Sequence, residues 1–180
     1  MKKLILIGGA LASGKSTYAN ILKTKFNLSV ITKDGIKEVL GDNIFASTRE
    51  ENKKLSALSF ELFKHLLICN MSSIVLESNF RDHELMELKK LCDELNYEIL
   101  SLVFDGDDDV LHKRFLDRLH GNRHYVHKSQ DFTNIEDFAA ALNELRDASY
   151  FGKIINVNCN DFAYQNDEIL FKEIEEFLLK

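Results

Sequence analysis

Five short runs of apolar residues along the chain have the composition of strands that are buried on both faces. They lie at residues 4–7, 28–31, 74–76, 99–104 and 154–157. Continuous apolar runs, unlike alternating ones, are typical of parallel sheets that are covered by helices on both sides. The pattern therefore predicts five parallel strands.

Between these runs, apolar residues recur at helical spacing. The predicted helices span residues 16–25, 48–70, 82–95, 107–119, 135–147 and 166–179. Strands that alternate with helices predict an α/β fold with right-handed crossovers, in which a ligand binds at the carboxyl ends of the strands. We expect one domain over residues 1–180, with a mobile lobe at about 41–52 and a lid at about 112–133.

Composition narrows the class of protein. The chain has 180 residues and a net charge of −6, from 23 basic and 29 acidic side chains. An acidic surface repels phosphodiester backbones, which argues against indiscriminate nucleic-acid binding without excluding a local basic site. Three widely spaced cysteines, Cys69, Cys92 and Cys159, favour reduced thiols in a cytoplasmic protein over a disulfide framework or a zinc site.

One loop carries a motif with a known mechanism. Residues 9–16 fit G-x-x-x-x-G-K-[ST] in full, directly after an apolar run and before a predicted helix. Backbone N–H groups of such a loop point at phosphate oxygens, and the helix N-terminus adds its positive end. The predicted nucleotide-binding residues are Gly9, Ala10, Leu11, Ala12, Ser13, Gly14, Lys15, Ser16 and Thr17. We expect Lys15 to reach the β- and γ-phosphates of ATP, Ser16 to bind Mg²⁺, and Thr17 to touch the α-phosphate.

A second candidate group follows the second predicted strand. Asp34 is well placed to accept a proton from an attacking hydroxyl, a step that phosphoryl transfer requires. The alternative is that Asp34 only caps a helix at residues 35–40, and the two roles are compatible. Lys37 lies one turn further on and is a candidate to hold an anionic group of the acceptor; the alternative is a solvated helix lysine.

The third predicted strand ends in an acid, Glu77. An acid after a run of apolar residues has the form of the second NTPase motif, whose carboxylate anchors Mg²⁺. The usual residue there is Asp, so contact with the metal either directly or through water stays open. Asn79 and Arg81 follow as candidate acceptor ligands. The alternative is that Asn79 ends the strand and Asp82 caps the next helix.

Basic residues are concentrated in one segment of this acidic chain. Residues 112–128 hold Lys113, Arg114, Arg118, Arg123 and Lys128 beside a single acid, Asp117, together with four histidines, His112, His120, His124 and His127. Such a segment is typical of a lid over a triphosphate. Arginines four apart lie on one helix face and can stabilise charge on the transferring phosphoryl group or stack on a base. A solvated helix followed by a polar loop is the alternative.

Four segments together resemble a known family. They are the loop at 9–17, Thr-Lys-Asp-Gly-Ile-Lys at 32–37, Leu-Glu-Ser-Asn-Phe at 76–80, and the arginines at 114, 118 and 123. The pattern is similar to the small P-loop kinases of the AAA_33-type group, which includes the kinase domain of polynucleotide kinase and the chloramphenicol phosphotransferase-like and zeta-toxin-like enzymes. The resemblance covers residues 2 to about 157.

This resemblance implies a three-layer αβα, nucleoside-monophosphate-kinase-like core with strand order 2-3-1-4-5. It implies that Asp34 is the general base and that Arg114 and Arg118 are lid arginines. Two positions differ from the family. Gly35 follows the base where a second acid or polar residue is frequent, and Lys37 replaces an arginine. Lysine lacks the bidentate grip of arginine, which favours an acceptor other than a nucleic-acid end.

The leading hypothesis is an ATP- and Mg²⁺-dependent kinase that phosphorylates a hydroxyl of a small molecule. The catalytic candidates are Lys15, Asp34, Arg114 and Arg118, with Arg118 also near the nucleotide. One alternative keeps the chemistry and changes the acceptor to a polynucleotide 5′-hydroxyl or a nucleotide sugar. Another is a nucleotide-binding regulatory ATPase, which has no need for an acid at Asp34. We expect a cytoplasmic monomer or homodimer with no membrane association.

Overall fold

The computed structural model describes residues 2–44, 46, 48–119, 121, 124–127 and 132–179. Its strands are β1 (Lys2–Gly9), β2 (Ser29–Thr32), β3 (Ile74–Glu77), β4 (Tyr97–Asp105) and β5 (Lys153–Asn158). They form one sheet in the order β2-β3-β1-β4-β5 with every neighbouring pair parallel. The predicted fold class, strand number and strand order are confirmed.

Seven α-helices connect or follow these strands in the described part of the chain. They are α1 (Lys15–Phe26), α2 (Lys33–Asn43), α3 (Arg49–Cys69), α4 (Asp82–Glu94), α5 (Asp108–Leu119), α6 (Ile135–Arg146) and α7 (Glu168–Leu179). Two short 3₁₀ turns, Tyr125–His127 and Ala163–Asn166, accompany them. None of the helices in these described ranges is both long enough and apolar enough to cross a membrane.

Side chains alternate along the buried strands and supply a core to each face of the sheet. On one face, Ile5 and Ile7 of β1 pack with residues of α1 and α7, including Tyr18 and Phe171. On the other, Leu4 and Leu6 join residues of α3 and α4. A third cluster joins α5 and α6 to the loop after β1. The central strands are thus fixed from both sides, which holds their carboxyl ends in place.

The region predicted as a lobe is more helical than its sequence pattern indicated. Helix α2 begins at Lys33 and continues to Asn43, and α3 begins at Arg49. Thr48 forms a reciprocal capping box with Glu51, which fixes the start of α3. The lobe at 41–52 is therefore mostly two helix ends around a short connection, in which Phe45 and Ser47 lie outside the described residues.

Candidate active site

Two glycines give the predicted phosphate loop its shape. Gly9 has φ +106°, and a Cβ there would lie 2.2 Å from the carbonyl oxygen of Phe104. Gly14 has φ +90°, and a Cβ there would lie 2.1 Å from the hydroxyl of Tyr164. Left-handed backbone and close approach both exclude larger residues, so the sequence requirement for glycine has a direct steric cause.

The loop curls around the ammonium group of Lys15. This group donates to the carbonyl oxygen of Ala10, to that of Gly9 at 3.4 Å and to the Ser13 hydroxyl at 3.3 Å. Burial lowers the pKa of Lys15 to about 8, and the negative charges of Glu77 and Asp34 oppose this shift. Bound phosphate oxygens would replace these carbonyl oxygens as partners of the ammonium group.

Ser16 and Glu77 form the candidate metal site. The Ser16 hydroxyl donates to the Glu77 carboxylate at 3.1 Å, and the carboxylate is buried. Burial raises the pKa of Glu77, while Lys15 acts in the opposite direction. A hydroxyl and a carboxylate side by side fit Mg²⁺, which binds one or two protein oxygens and takes its other ligands from phosphate and water. No three His, Cys, Asp or Glu side chains among the described residues form a metal-binding cluster of their own.

Asp34 lies in the first turn of α2, directly after β2. Thr32 pairs with Glu77 in the sheet, which places the start of α2 beside the end of β3. The negative charge of Asp34 influences the pKa of both Lys15 and Glu77. The capping alternative for Asp34 is wrong, because Thr32 is the N-cap and its hydroxyl accepts from the Gly35 amide at 3.0 Å.

The three other candidate ligands for the acceptor, Lys37, Asn79 and Arg81, have different surroundings in the structure. Lys37 donates to the carbonyl oxygen of Val126 at 3.3 Å, so it contacts the predicted lid. The Asn79 carboxamide oxygen is buried and has no hydrogen-bond partner among the described residues, which leaves it available to a ligand. Arg81 is exposed and forms an ion pair with Glu144 of α6 at 2.9 Å. It precedes α4, in which Asp82 is the first residue and not the cap.

The two arginines predicted to belong to a lid have different surroundings. The Arg114 guanidinium donates to the carbonyl oxygens of Cys159 and Asn160, and it lies 4.3 Å from the ring centroid of Phe162. Burial is the main cause of the lowered pKa of Lys15, and the positive charge of Arg118 adds to it, so Arg118 is close enough to the phosphate loop to influence it electrostatically. Three predicted members of the basic segment, His120, Arg123 and Lys128, lie outside the described residues.

Some site residues escaped the sequence analysis because distant parts of the chain supply them. The Tyr164 hydroxyl donates to the Ser13 carbonyl oxygen at 3.1 Å across 151 positions. Cys159, Asn160 and Phe162 follow β5 and meet Arg114. No local motif marks these residues. Their one sequence signal is that they follow the fifth apolar run, whose carboxyl end shares the edge of the sheet with the phosphate loop.

Comparison with protein-family models gives no match, and comparison with curated proteins gives none. Solved structures do match over almost the whole chain. A protein from Chloroflexus aurantiacus J-10-fl described as a "putative kinase" is 23% identical, with a TM-score of 0.78 and 99% of each chain covered. A sugar kinase from Janibacter sp. HTCC2649 is 14% identical, with a TM-score of 0.60, over 97% of this chain and 95% of its own.

Shikimate kinase from Bacteroides thetaiotaomicron is similar to the same degree. It is 15% identical, has a TM-score of 0.60, and covers 97% of this chain and 98% of its own. At sequence identities this low, the structural similarity establishes the fold and nothing further. The chain therefore has a P-loop-kinase-like fold, with the parallel sheet and strand order that the sequence analysis predicted.

Proposed function

We propose that this protein is a kinase that transfers the γ-phosphate of ATP to a hydroxyl of a small molecule. One observation carries the proposal: the phosphate-loop lysine, the Ser16–Glu77 pair and Asp34 meet at the carboxyl ends of β1, β2 and β3. Phosphoryl transfer needs a phosphate cradle, a metal site and a group that orients the acceptor. The P-loop-kinase-like fold supports the same function.

The described side chains divide the chemistry among them. The loop amides and Lys15 hold the β- and γ-phosphates, and Ser16 and Glu77 hold Mg²⁺, which supplies charge neutralisation when bound. Asp34 orients the acceptor hydroxyl and accepts its proton as the new oxygen–phosphorus bond forms and the bond to ADP breaks. Arg118 stabilises negative charge on the transferring group.

The base of the nucleotide has a candidate site next to Arg114. The side chains of Arg114 and Phe162 stack, and Phe162 remains exposed. Two guanidinium bonds fix the backbone at Cys159 and Asn160, so this loop presents a rigid edge. We assign the base to this edge and the triphosphate to residues 9–17.

A small-molecule acceptor is the substrate class that the charges favour. Asp34 and Glu38 lie on the same face of α2. Lys33, the first residue of α2, is paired with Glu84, so its positive charge is already neutralised. A nucleic-acid end would need an electropositive channel beside Asp34.

Within the wider fold we assign the chain to the AAA_33-type group on the motifs at residues 9–17, 32–37 and 76–80. Its three free cysteines agree with a reducing, cytoplasmic setting.

The test is acceptor-dependent ADP release by the purified protein in ATP and Mg²⁺. Pools of small hydroxyl metabolites, a nucleotide-sugar pool and a 5′-hydroxyl oligonucleotide serve as acceptors. We expect turnover with a small-molecule pool, loss of turnover in Asp34→Asn with nucleotide affinity retained, and loss of both in Lys15→Ala. Slow ADP release that ignores both the acceptor and Asp34 would instead identify a regulatory ATPase.

A further inference from the structure

A row of three carboxylates on α2 faces a short segment of the predicted lid. Asp34, Glu38 and Asp42 are four residues apart and so share one helix face. Residues 124–127, which we call the docked segment, lie along this face. Its two histidines meet all three carboxylates: His127 meets Asp34 and Glu38, and His124 meets Asp42.

The docked segment is held by contacts other than those of its imidazoles. The Val126 side chain is buried, and its carbonyl oxygen accepts from Asn52 of α3 at 2.9 Å and from Lys37 of α2 at 3.3 Å. The Tyr125 hydroxyl donates to the Gly41 carbonyl oxygen. These bonds hold the residues immediately before His127, so the position of its ring does not depend on its own polar contacts alone.

His127 stands between the candidate base and a second carboxylate. Its Nε2 lies 3.0 Å from Glu38 Oε1 and its Nδ1 lies 3.8 Å from Asp34 Oδ1. The His127 side chain is 7% exposed, whereas that of Asp34 is 57% exposed. At 3.8 Å the Nδ1 contact is longer than a hydrogen bond. Catalytic contacts are often long before the substrate binds and shorten in the reacting complex.

We propose that His127 is a positioning residue for Asp34, oriented in turn by Glu38. This inference rests on the proposed function, because it concerns the base of that reaction. An exposed aspartate samples several rotamers. In its protonated form the His127 ring donates from both nitrogens, so that Nε2 can serve Glu38 while Nδ1 restricts the Asp34 carboxylate to the rotamer that faces the acceptor hydroxyl. Glu38 fixes the ring through Nε2, in the way that a carboxylate orients a histidine in other catalytic groups.

Two amide substitutions separate the two sides of the ring. Asn places its amide nitrogen near the position of Nδ1, and Gln reaches the position of Nε2. His127→Gln therefore keeps the contact with Glu38 and loses the one with Asp34. We expect kcat to fall on the order of tenfold, with KM for ATP unchanged, since misplacement of a reacting group acts on the chemical step. His127→Asn should restore most of the lost kcat.

His124→Gln is the matched control, because it alters the other histidine of the docked segment, which contacts Asp42 and not Asp34. We expect its kcat to stay within about twofold of the unsubstituted protein, because the carboxylate that it contacts, Asp42, is exposed and is not part of the proposed reaction. Equal losses in His124→Gln and His127→Gln would mean that the segment has only a structural role, and would overturn the proposal.

A second measurement is independent of turnover. Histidine ring signals, assigned by NMR in the nucleotide-free protein, should respond at His127 to Asp34→Asn and to Glu38→Gln, and at His124 to Asp42→Asn. No response of His127 to Asp34→Asn overturns the proposal. If the unsubstituted protein shows no acceptor-dependent turnover, the proposed function is wrong. If turnover is lost in Asp34→Asn but unchanged in His127→Gln, only the positioning role of His127 is overturned.

Discussion

At the scale of single residues, the site is built around a buried lysine that is only partly neutralised. Lys15 is surrounded by carbonyl oxygens, which accept hydrogen bonds but carry no full charge. Glu77 and Asp34 supply negative charge nearby, and Arg118 supplies positive charge. The balance leaves the pKa of Lys15 at about 8, so its protonation changes within an experimentally useful range.

This pKa predicts a pH-dependent nucleotide affinity. In the free protein the pKa of Lys15 is lowered to about 8, whereas bound phosphates raise it, because nearby negative charge favours the ammonium form. Binding above this pH must therefore take up a proton. We expect the Kd for ATP·Mg²⁺ to be flat below about pH 8 and to rise by about tenfold per pH unit above it. Titration calorimetry in buffers of different ionisation enthalpy would measure the proton uptake directly.

Lys15→Ala is the control for this experiment, and it should bind weakly at every pH with no slope in this range. A slope that persists in Lys15→Ala would show that another group is responsible.

Glu77 should set the midpoint of that profile as well as hold the metal. Its charge is the largest influence that raises the pKa of Lys15 against burial. Glu77→Gln should therefore move the midpoint for nucleotide binding below about pH 8. Glu77→Gln should also lower the affinity for Mg²⁺ by about 10–100-fold, as loss of a metal-orienting group does. Ser16→Ala removes the hydroxyl and keeps the charge of Glu77. It should therefore lower the affinity for Mg²⁺ and leave the pH midpoint of nucleotide binding in place. A midpoint that moves equally in both variants would contradict this assignment.

At the scale of secondary-structure elements, the phosphate loop depends on a residue from the far end of the chain. The Tyr164 hydroxyl donates to the Ser13 carbonyl oxygen, and its ring packs against Phe104 and Tyr18. The turn Ala163–Asn166 thereby joins the last strand to the first loop. We infer that this bond helps to fix the backbone that would contact the phosphates in the proposed function.

Tyr164→Phe tests this link. The substitution keeps the packed ring and removes one hydrogen bond to a backbone carbonyl, so the free energy of unfolding should fall by about 1 kcal/mol. The affinity for ATP should also fall severalfold, because the loop is less well fixed. Chemical denaturation and nucleotide titration of the same preparation would measure both effects.

Tyr18→Phe is a matched comparison in the same core cluster. The Tyr18 hydroxyl is buried and has no hydrogen-bond partner among the described residues, so its removal should be neutral or stabilise the fold. If Tyr18→Phe proved as destabilising as Tyr164→Phe, the bond to Ser13 would not be the cause.

The sequence predicted elements better than it predicted contacts, for a physical reason. Strand and helix positions follow from local periodicity, so β1 and the start of α1 could be read directly, together with the loop between them. Asp34 and Glu77 could be placed near that loop because parallel strands share a carboxyl edge. The bond between Tyr164 and Ser13 has no such local cause, and neither does the contact of His127 with Glu38. Both depend on how separate elements pack.

The C-terminal end of α2 also shows that a local sequence pattern misses the effect of tertiary contacts. The sequence has no clear apolar period after Gly41, since few side chains there enter a core. The helix nevertheless continues to Asn43, where the docked segment covers it through Tyr125 and His124. Tertiary contact thus overrides a weak local pattern. The expectation of a mobile lobe at about 41–52 came from that local pattern alone, and residues 41–43 are instead the last residues of α2.

At the scale of the whole molecule, nucleotide binding should stabilise the fold as a unit. The loop at residues 9–17 contacts β4 through Ala10, α5 and α6 through the third core cluster, and the turn Ala163–Asn166 through Tyr164. A ligand that binds only the folded form adds RT ln(1 + [L]/Kd), about 2.7 kcal/mol at a hundred times Kd. For a chain of this size the thermal midpoint should rise by roughly 5–11 °C.

The pattern across variants identifies the source of that stabilisation. Lys15→Ala should abolish the shift, whereas Asp34→Asn should keep it, because the role that we propose for Asp34 concerns the acceptor and not the nucleotide. A 5′-hydroxyl oligonucleotide at physiological salt should give no shift, since the net charge of −6 repels its backbone. A rise in midpoint that survived in Lys15→Ala would place the stabilising nucleotide outside the loop. A rise with the oligonucleotide would move the acceptor assignment from a small molecule to a nucleic-acid end.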